Sequence, residues 1–365
     1  MEETQIGVVL TGAGAVGFAL LNVVERSFTS LRVVAVGDSR GFVVNHPGFS
    51  WPQVHEILQH KASGNTITSW DLADGTERAE ALLPLVEDLA HAESKVFGNY
   101  IVVDCTSSQA TAPALLRAKQ CGFGVVMANK LPLSLTTEVY NNLVFDAAGT
   151  RSPLVQYEAT VGAGLPVVNT LKRIVASRDR IISVQGSFSG TIGYVLAEMN
   201  GGKTFSEALN AAHALGITEP DPRDDLSGAD VARKMVILAR ELGFETETTS
   251  VEIEKLLPDA FLTLPVPVFL SKISELDPAA AVNHNASRLA YLGTITSTGA
   301  LSIALEIVPR TSVFANTSST ENAMEVLTQW FPEPLVLRGT GAGIHSTAAA
   351  LAADLAQIAA AFARC

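Results

Sequence analysis

From Ile6 to Leu10 the chain is apolar, then reads Thr11-Gly12-Ala13-Gly14-Ala15-Val16-Gly17, then carries a helical pattern to about residue 28 and a second apolar stretch, Val33 to Val36, closed by Asp38. Strand, glycine turn, helix and strand in that order make a dinucleotide-binding unit, and they commit the first part of the chain to an open α/β sheet. Gly12, Gly14 and Gly17 let the backbone approach a pyrophosphate, and the helix N-terminus at Ala15 and Val16 favours negative charge there. Asp38 stands where a ribose-binding acid is expected. Arg40, two residues on, suits a 2′-phosphate instead, so NAD and NADP both stay open. The other reading of the glycines is an ordinary tight turn.

Tyr100 to Asp104 and Gly124 to Met127 repeat the apolar strand pattern, with a helical segment from Ala110 to Gln120 between them. Continuous apolar runs suit parallel strands covered on both faces. The first ends in Cys105-Thr106-Ser107-Ser108 and the second in Ala128-Asn129-Lys130. Open α/β sheets bind ligands outside the carboxyl ends of their strands, which places Thr106, Ser107 and Lys130 at the cofactor edge. A lysine met alone is more often a surface residue.

Past about residue 150 the pattern changes. Leu154 to Tyr157, Ile181 to Phe188 and stretches near residues 288 to 308 read as strands among helices, which is the pattern of an α+β substrate domain. The expected fold class is therefore α/β: a Rossmann-type dinucleotide-binding domain over 1–150 and a second α+β domain over 151–338. Residues 339–365, a glycine-rich turn ending at Gly343 and a long helix, are expected to return to the cofactor domain, with capping of the second domain as the alternative.

Residues 219 to 234 concentrate five carboxylates, Glu219, Asp221, Asp224, Asp225 and Asp230, ahead of Lys234, in a chain with only 17% charged residues. Such density calls for an external cation, a substrate amine or the lysine to make it tolerable. Pro220 and Pro222 hold their predecessors on an extended stretch. Ser227 is expected as N-cap, with Asp230 at the third helical position closing a capping box. On a helical projection Val231, Met235, Leu238 and Leu242 form a core stripe, Arg233 and Arg240 lie roughly opposite, and Asp230 and Lys234 fall between, toward a cleft edge. The plainer reading is a solvated loop and an exposed i,i+4 pair worth about a few tenths of a kcal/mol. Spacing leaves both open.

At 365 residues the chain has room for two domains, and its net charge of −12 argues against wrapping nucleic acid or docking on anionic lipid. Cys105, Cys121 and Cys365 are odd in number and widely spaced, as in a reducing compartment. The strand pattern begins by Ile6, leaving no room for a leader, and the alanine-rich stretch Thr347 to Ala363 is interrupted by Asp354, so it reads as a packed helix. A cytoplasmic protein with no membrane span is expected.

Three segments now act together: Glu158-Ala-Thr-Val-Gly-Ala-Gly-Leu-Pro166, Ser189-Gly190-Thr191, and Gly216 to Lys234 with its ending Asp230-Val-Ala-Arg-Lys234. With the early glycine turn, Ala128-Asn129-Lys130 and the late turn at 339 to 343, the chain resembles homoserine dehydrogenase along essentially its full length. The resemblance implies reversible reduction of L-aspartate 4-semialdehyde to L-homoserine with NADPH or NADH, a step toward threonine, methionine and isoleucine, and a homodimer joined through the second domain. It implies that Glu219 and Asp225 hold the substrate ammonium beside Gly190 and Thr191, that Asp230 and Lys234 flank the reacting oxygen, and that Lys130 bridges nicotinamide and substrate. Lys234 is the expected acid/base, with Lys130 the competitor. Gly343 joins the cofactor-binding residues.

The same resemblance makes Glu158 and the main-chain carbonyls of Val161, Ala163 and Leu165 a sodium site. From the residues alone this is a turn before a helix at Pro166. Two positions depart from the family pattern: Ile217 replaces an aromatic, and Gly193 a polar residue. No C-terminal regulatory domain is expected. The alternatives are another Rossmann-fold reductase, including one that uses Cys105 as a nucleophile, and a nucleotide-sensing scaffold without chemistry. No histidine partner for Cys105 is found by spacing.

Overall fold

The computed structural model describes residues 5–91, 96–277, 287–317 and 320–364. The chain divides into two compact units, residues 1–164 with 343–365, and residues 165–342.

The first unit is built on strands β1 (Ile6–Thr11), β2 (Leu31–Asp38), β3 (Gly41–Val44), β4 (Glu77–Ala79), β5 (Asn99–Asp104), β6 (Gly124–Met127) and β7 (Val155–Gln156). They lie in the order β4-β3-β2-β1-β5-β6-β7. Strands β2, β1, β5, β6 and β7 are parallel, and β3 and β4 close one edge antiparallel. Every residue of β1 and β6 is buried, as parallel strands covered on both faces require. The chain leaves β1 for β2 on one side and reaches β5 on the other, so the ends of β1 and β5 form the switch point at which open sheets bind ligands.

One finding departs from the sequence reading. Val155 and Gln156 pair with Val125 and Val126, so the strand expected to open the second domain is the last strand of the first sheet. The closing helix, Ile344–Phe362, packs on helix Ala15–Ser27 and belongs to the first unit. Its Asp354 is fully buried and accepts the Glu158 N–H at 2.9 Å, which explains an acid within an alanine-rich stretch. Gly124 gives Ile358 its seat: a Cβ there would lie 2.6 Å from Ile358 Cγ2.

The second unit carries strands β8 (Ile181–Ser187), β9 (Glu252–Ile253), β10 (Ser287–Thr296), β11 (Leu301–Pro309), β12 (Glu321–Thr328) and β13 (Leu335–Thr340), in the order β13-β12-β8-β10-β11-β9. All neighbours are antiparallel except β9 and β11. Helix Ala229–Glu241 packs on β10, β11 and helix Val167–Ala176. Gly293 lets it approach, since a Cβ there would meet Met235 Cγ at 2.4 Å.

That helix corrects the projected stripe. Its second half is buried all round, Arg240 and Glu241 included. Arg240 is neutralised locally: Nε donates to the Thr246 carbonyl at 2.9 Å, and the guanidinium meets Glu247 at 3.1 Å. A projection reports angle about the axis, but not that a second element covers the far side.

Candidate active site

The glycine turn has the contacts that a pyrophosphate cradle needs. Gly12 has φ +91°, and a Cβ on it would lie 2.6 Å from the carbonyl carbon of Cys105 and 2.7 Å from Thr106 N. A Cβ on Gly17 would meet the Gly12 oxygen at 2.6 Å. Gly14, the N-cap of helix Ala15–Ser27, has open space where a side chain would stand, and the first helical turn carries no acid. The amides of Ala15, Val16 and Gly17 have no intrahelical acceptor, so they are available to an anion.

Asp38, at the end of β2, is held from three directions. Oδ1 accepts the Arg40 N–H at 2.9 Å, and Oδ2 accepts Lys61 Nζ at 2.6 Å and the Ile67 N–H at 3.0 Å. Burial works to raise its pKa, but the hydrogen bonds from Lys61, Ile67 and Arg40 and the Lys61 charge outweigh it, holding the carboxyl below the usual range. Lys61, in the last turn of helix Trp51–Ala62, is the partner of Asp38 that sequence reasoning missed. No local pattern marks it. Arg40 itself is exposed.

At the neighbouring strand ends Thr106 is half-buried, Ser107 exposed and Lys130 half-buried at the start of helix Leu131–Ser134. Burial, and after it the Asp104 charge, pushes the Cys105 thiol far up. That direction weighs against Cys105 as a nucleophile. Gly343, φ +140°, is the N-cap of the closing helix, where its carbonyl accepts from Ser346 Oγ at 3.0 Å and Thr347 Oγ1 at 2.8 Å.

In the second unit the acidic segment is more ordered than a loop. Asp221 caps a short helix, Pro222–Leu226, and forms an ion pair with Arg223 at 2.6 Å. Arg223 in turn donates to the carbonyls of Phe261, Leu262 and Leu264. Its hydrogen bond to Arg223, set against some burial, lowers the Asp221 pKa. Asp225 binds its own chain on both oxygens: Oδ1 accepts Thr191 Oγ1 at 2.8 Å and Oδ2 accepts the Glu219 N–H at 2.8 Å. Thr191 Oγ1 also lies 3.0 Å from the Ile217 carbonyl. Glu219 itself is exposed. Asp225 therefore ties the 217–219 stretch to helix Gly190–Asn200, whose N-cap Ser189 accepts the Ile192 N–H.

Ser227 is not the N-cap of the next helix. That position is Gly228, with φ +72°, and Ser227 Oγ donates to the Asp224 carbonyl while accepting the Ala229 N–H. Ser227 instead ends the preceding short helix, with helical φ −66° and ψ −21°, so it lacks the extended backbone of an N-cap, and a Cβ on residue 228 would lie 2.3 Å from the Tyr291 hydroxyl. Asp230 consequently falls at the second helical position, and its carboxylate meets Lys234 Nζ at 2.7 Å. Lys234 is 14% exposed and also donates to the Phe188 carbonyl at 2.6 Å, one residue before the Ser189 cap. A mostly buried ammonium therefore stands beside the Gly190–Thr191 helix start, and its carboxylate partner is 46% exposed.

In the 158–165 segment Glu158 to Ala163 are buried, and Gly162 and Ala163 have φ +82° and +54°. Successive left-handed residues turn the chain back on itself, and an alanine held there costs about 1 kcal/mol or more. A Cβ on Gly164 would meet the Ser346 carbonyl oxygen at 2.8 Å. The Leu165 carbonyl already accepts the Val167 N–H at 2.8 Å, leaving one lone pair for another partner.

Two family models match the chain: homoserine dehydrogenase over residues 166–356, and the homoserine dehydrogenase NAD-binding domain over residues 12–158. The chain belongs to the homoserine dehydrogenase family. It is 30% identical to the homoserine dehydrogenase of Schizosaccharomyces pombe over 98% of this chain and 96% of that one. It is 33% identical to the bifunctional aspartokinase/homoserine dehydrogenase of Haemophilus influenzae over 95% of this chain and 42% of that one. Against such bifunctional relatives it spans about two fifths of their length. A hyperthermophilic archaeal homoserine dehydrogenase solved in complex with NADPH shares the fold, with a TM-score of 0.75, 21% identity and coverage of 98% of this chain and 99% of that one. Among the described residues no helix is long and apolar enough to cross a membrane.

Proposed function

We infer that this chain is an NAD(P)-dependent homoserine dehydrogenase, interconverting L-homoserine and L-aspartate 4-semialdehyde. The observation that carries the reading is the half-buried Lys234 ammonium, held by Asp230 and the Phe188 carbonyl beside the Thr191–Asp225–Glu219 cluster. The bound dinucleotide supplies the hydride. A carbonyl that accepts it becomes an alkoxide, and Lys234 stabilises and protonates that oxygen, taking the proton back in the oxidative direction. Asp230, half in solvent, orients the ammonium and favours its charged form. Glu219 receives the substrate ammonium, and Asp225 fixes Glu219 through its backbone N–H. Gly190 and Thr191, in the first turn of their helix, suit the substrate carboxylate. Lys130 remains the competing acid.

For the cofactor, both oxygens of Asp38 are engaged, by the Lys61 ammonium and by the main-chain N–H groups of Arg40 and Ile67, and the exposed Arg40 follows two residues on. That balance favours a 2′-phosphate, hence NADP over NAD. NADPH is the nucleotide of the archaeal relative. A monovalent cation, sodium, fits Glu158 and the carbonyls of Val161, Ala163 and Leu165, since hard ions need several oxygen ligands and the left-handed pair at 162–163 turns the chain sharply. A homodimer is supported by the apolar groups that the second unit leaves exposed: Ile182, Ile307 and Val336 on strands, and Trp330 and Phe331 on the turn between β12 and β13.

The test is turnover of purified protein: NADPH-dependent reduction of aspartate semialdehyde, run beside phosphate-dependent aldehyde oxidation. Activity confined to the second assay would replace this reading with a different reductase, and cofactor binding without turnover of either would favour the scaffold.

A further inference from the structure

We propose that Asp104 is a positioning residue for the cofactor edge, holding in one buried knot the two strand-end loops that carry Thr106, Ser107 and Lys130. The inference rests on the dehydrogenase reading of that edge. Asp104 ends β5 with no exposed surface, and among the described residues no basic side chain pairs with it. An ionised carboxylate so placed costs several kcal/mol unless donors replace water. Three do. Oδ1 accepts the Thr106 N–H at 2.8 Å, and Oδ2 accepts Thr111 Oγ1 at 2.7 Å and Asn129 Nδ2 at 2.9 Å.

Asn129, 2% exposed, extends the knot across the strands. Its amide nitrogen also donates to the Ser108 carbonyl at 2.8 Å, its oxygen accepts the Leu131 N–H at 3.1 Å, and its N–H and that of Ala128 reach the Asp104 carbonyl at 3.3 and 2.9 Å. Lys130 therefore sits between two tethered residues, 129 and 131. Thr106 and Ser107 sit between Asp104 and Ser108, which are tethered in the same way, and Ser108 N–H donates back to Thr106 Oγ1 at 3.2 Å. The knot also backs the glycine turn, because Gly12 touches the main chain of Cys105 and Thr106 with no room for a methyl group. The Thr106 N–H on one oxygen and the Asn129 amide nitrogen on the other can only donate, so a side chain with acceptors on both arms completes the set.

Asp104→Asn keeps the shape and turns one arm into a donor pointing at donors. The expected result is a folded protein whose dissociation constant for NADPH rises, and whose kcat falls, by about tenfold or more each, while the KM for homoserine stays within about twofold. Thr111→Val removes one donor and is expected to give a smaller change of the same kind, so the proposal survives a failure of Asp104→Asn to fold. Val103→Ala, on the same buried strand, serves as control: it lowers the melting temperature and leaves the kinetic constants within about twofold. The proposal is overturned if Asp104→Asn or Thr111→Val changes kinetics no more than Val103→Ala does at matched loss of stability. NADPH binding, measured by fluorescence, reads Asp104 even if no variant, nor the unmodified chain, oxidises homoserine. That last outcome would count against the dehydrogenase reading alone.

Discussion

Replacing Lys234 by Met keeps the aliphatic stem and removes the ammonium that lies 2.7 Å from Asp230 and 2.6 Å from the Phe188 carbonyl. If Lys234 delivers the proton, the variant loses the general acid contribution of about 10²–10⁴-fold, or about 2.7–5.5 kcal/mol on the barrier. The structural cost is smaller. The Phe188 carbonyl loses a charge-assisted hydrogen bond worth about 1.5–3 kcal/mol. Asp230, already 46% exposed, rehydrates with an effect of no more than about 1 kcal/mol. Because the proposed role of Lys234 is at the substrate oxygen and not at the pyrophosphate, NADPH affinity is expected to stay within about twofold. The assay is the initial rate of homoserine oxidation with parallel NADPH titration by fluorescence. A Lys234→Met protein that keeps more than about a tenth of the rate would refute the assignment and move attention to Lys130→Met.

Other outcomes follow from the same contacts. Arg40→Ala and Lys61→Ala are each expected to raise the KM for NADPH by about tenfold while leaving the KM for NADH unchanged or lower, and equal effects on both cofactors would discard the 2′-phosphate role. Asp38 carries a depressed pKa, so its contribution to stability is present above its unfolded value near 3.8 and is lost as pH falls through the lower folded value. The stability difference between Asp38→Asn and unmodified protein in urea should therefore be full at pH 6 and shrink as the pH falls below 3.8, and a constant difference would contradict the sign. Gly164→Ala forces a methyl group to within 2.8 Å of the Ser346 carbonyl oxygen, and a loss of about 1–3 kcal/mol in denaturant midpoint is expected. Glu158→Gln should raise the sodium concentration for half-maximal activity by about tenfold, read by titration in a sodium-free buffer, and an unchanged requirement would remove the cation from Glu158.

The fold class and the family were legible because their signals are local. A glycine turn between strand and helix is decided by Gly12 and Gly17, where a Cβ would lie 2.6 Å from a main-chain atom. Asp230 and Lys234 meet because four residues make one helical turn. The capping box at Ser227 does not form because the short helix Pro222–Leu226 already claims Ser227 as its helical C-cap, and the next helix starts only after the left-handed Gly228. Arg240 was misplaced on a polar face because its neutralising partners lie beyond the helix that a projection describes.

The sequence by itself determined which residue types stand at each strand end and helix start, since those depend on spacing over a few positions. Tertiary structure decided which of them bind one another. Lys61 reaches Asp38 across 23 residues, Asn129 reaches Asp104 across 25, Thr191 reaches Asp225 across 34, and Asp354 reaches Glu158 across 196. A buried polar group takes whatever donor or acceptor the packing delivers, because leaving it unpaired costs more than any local preference supplies.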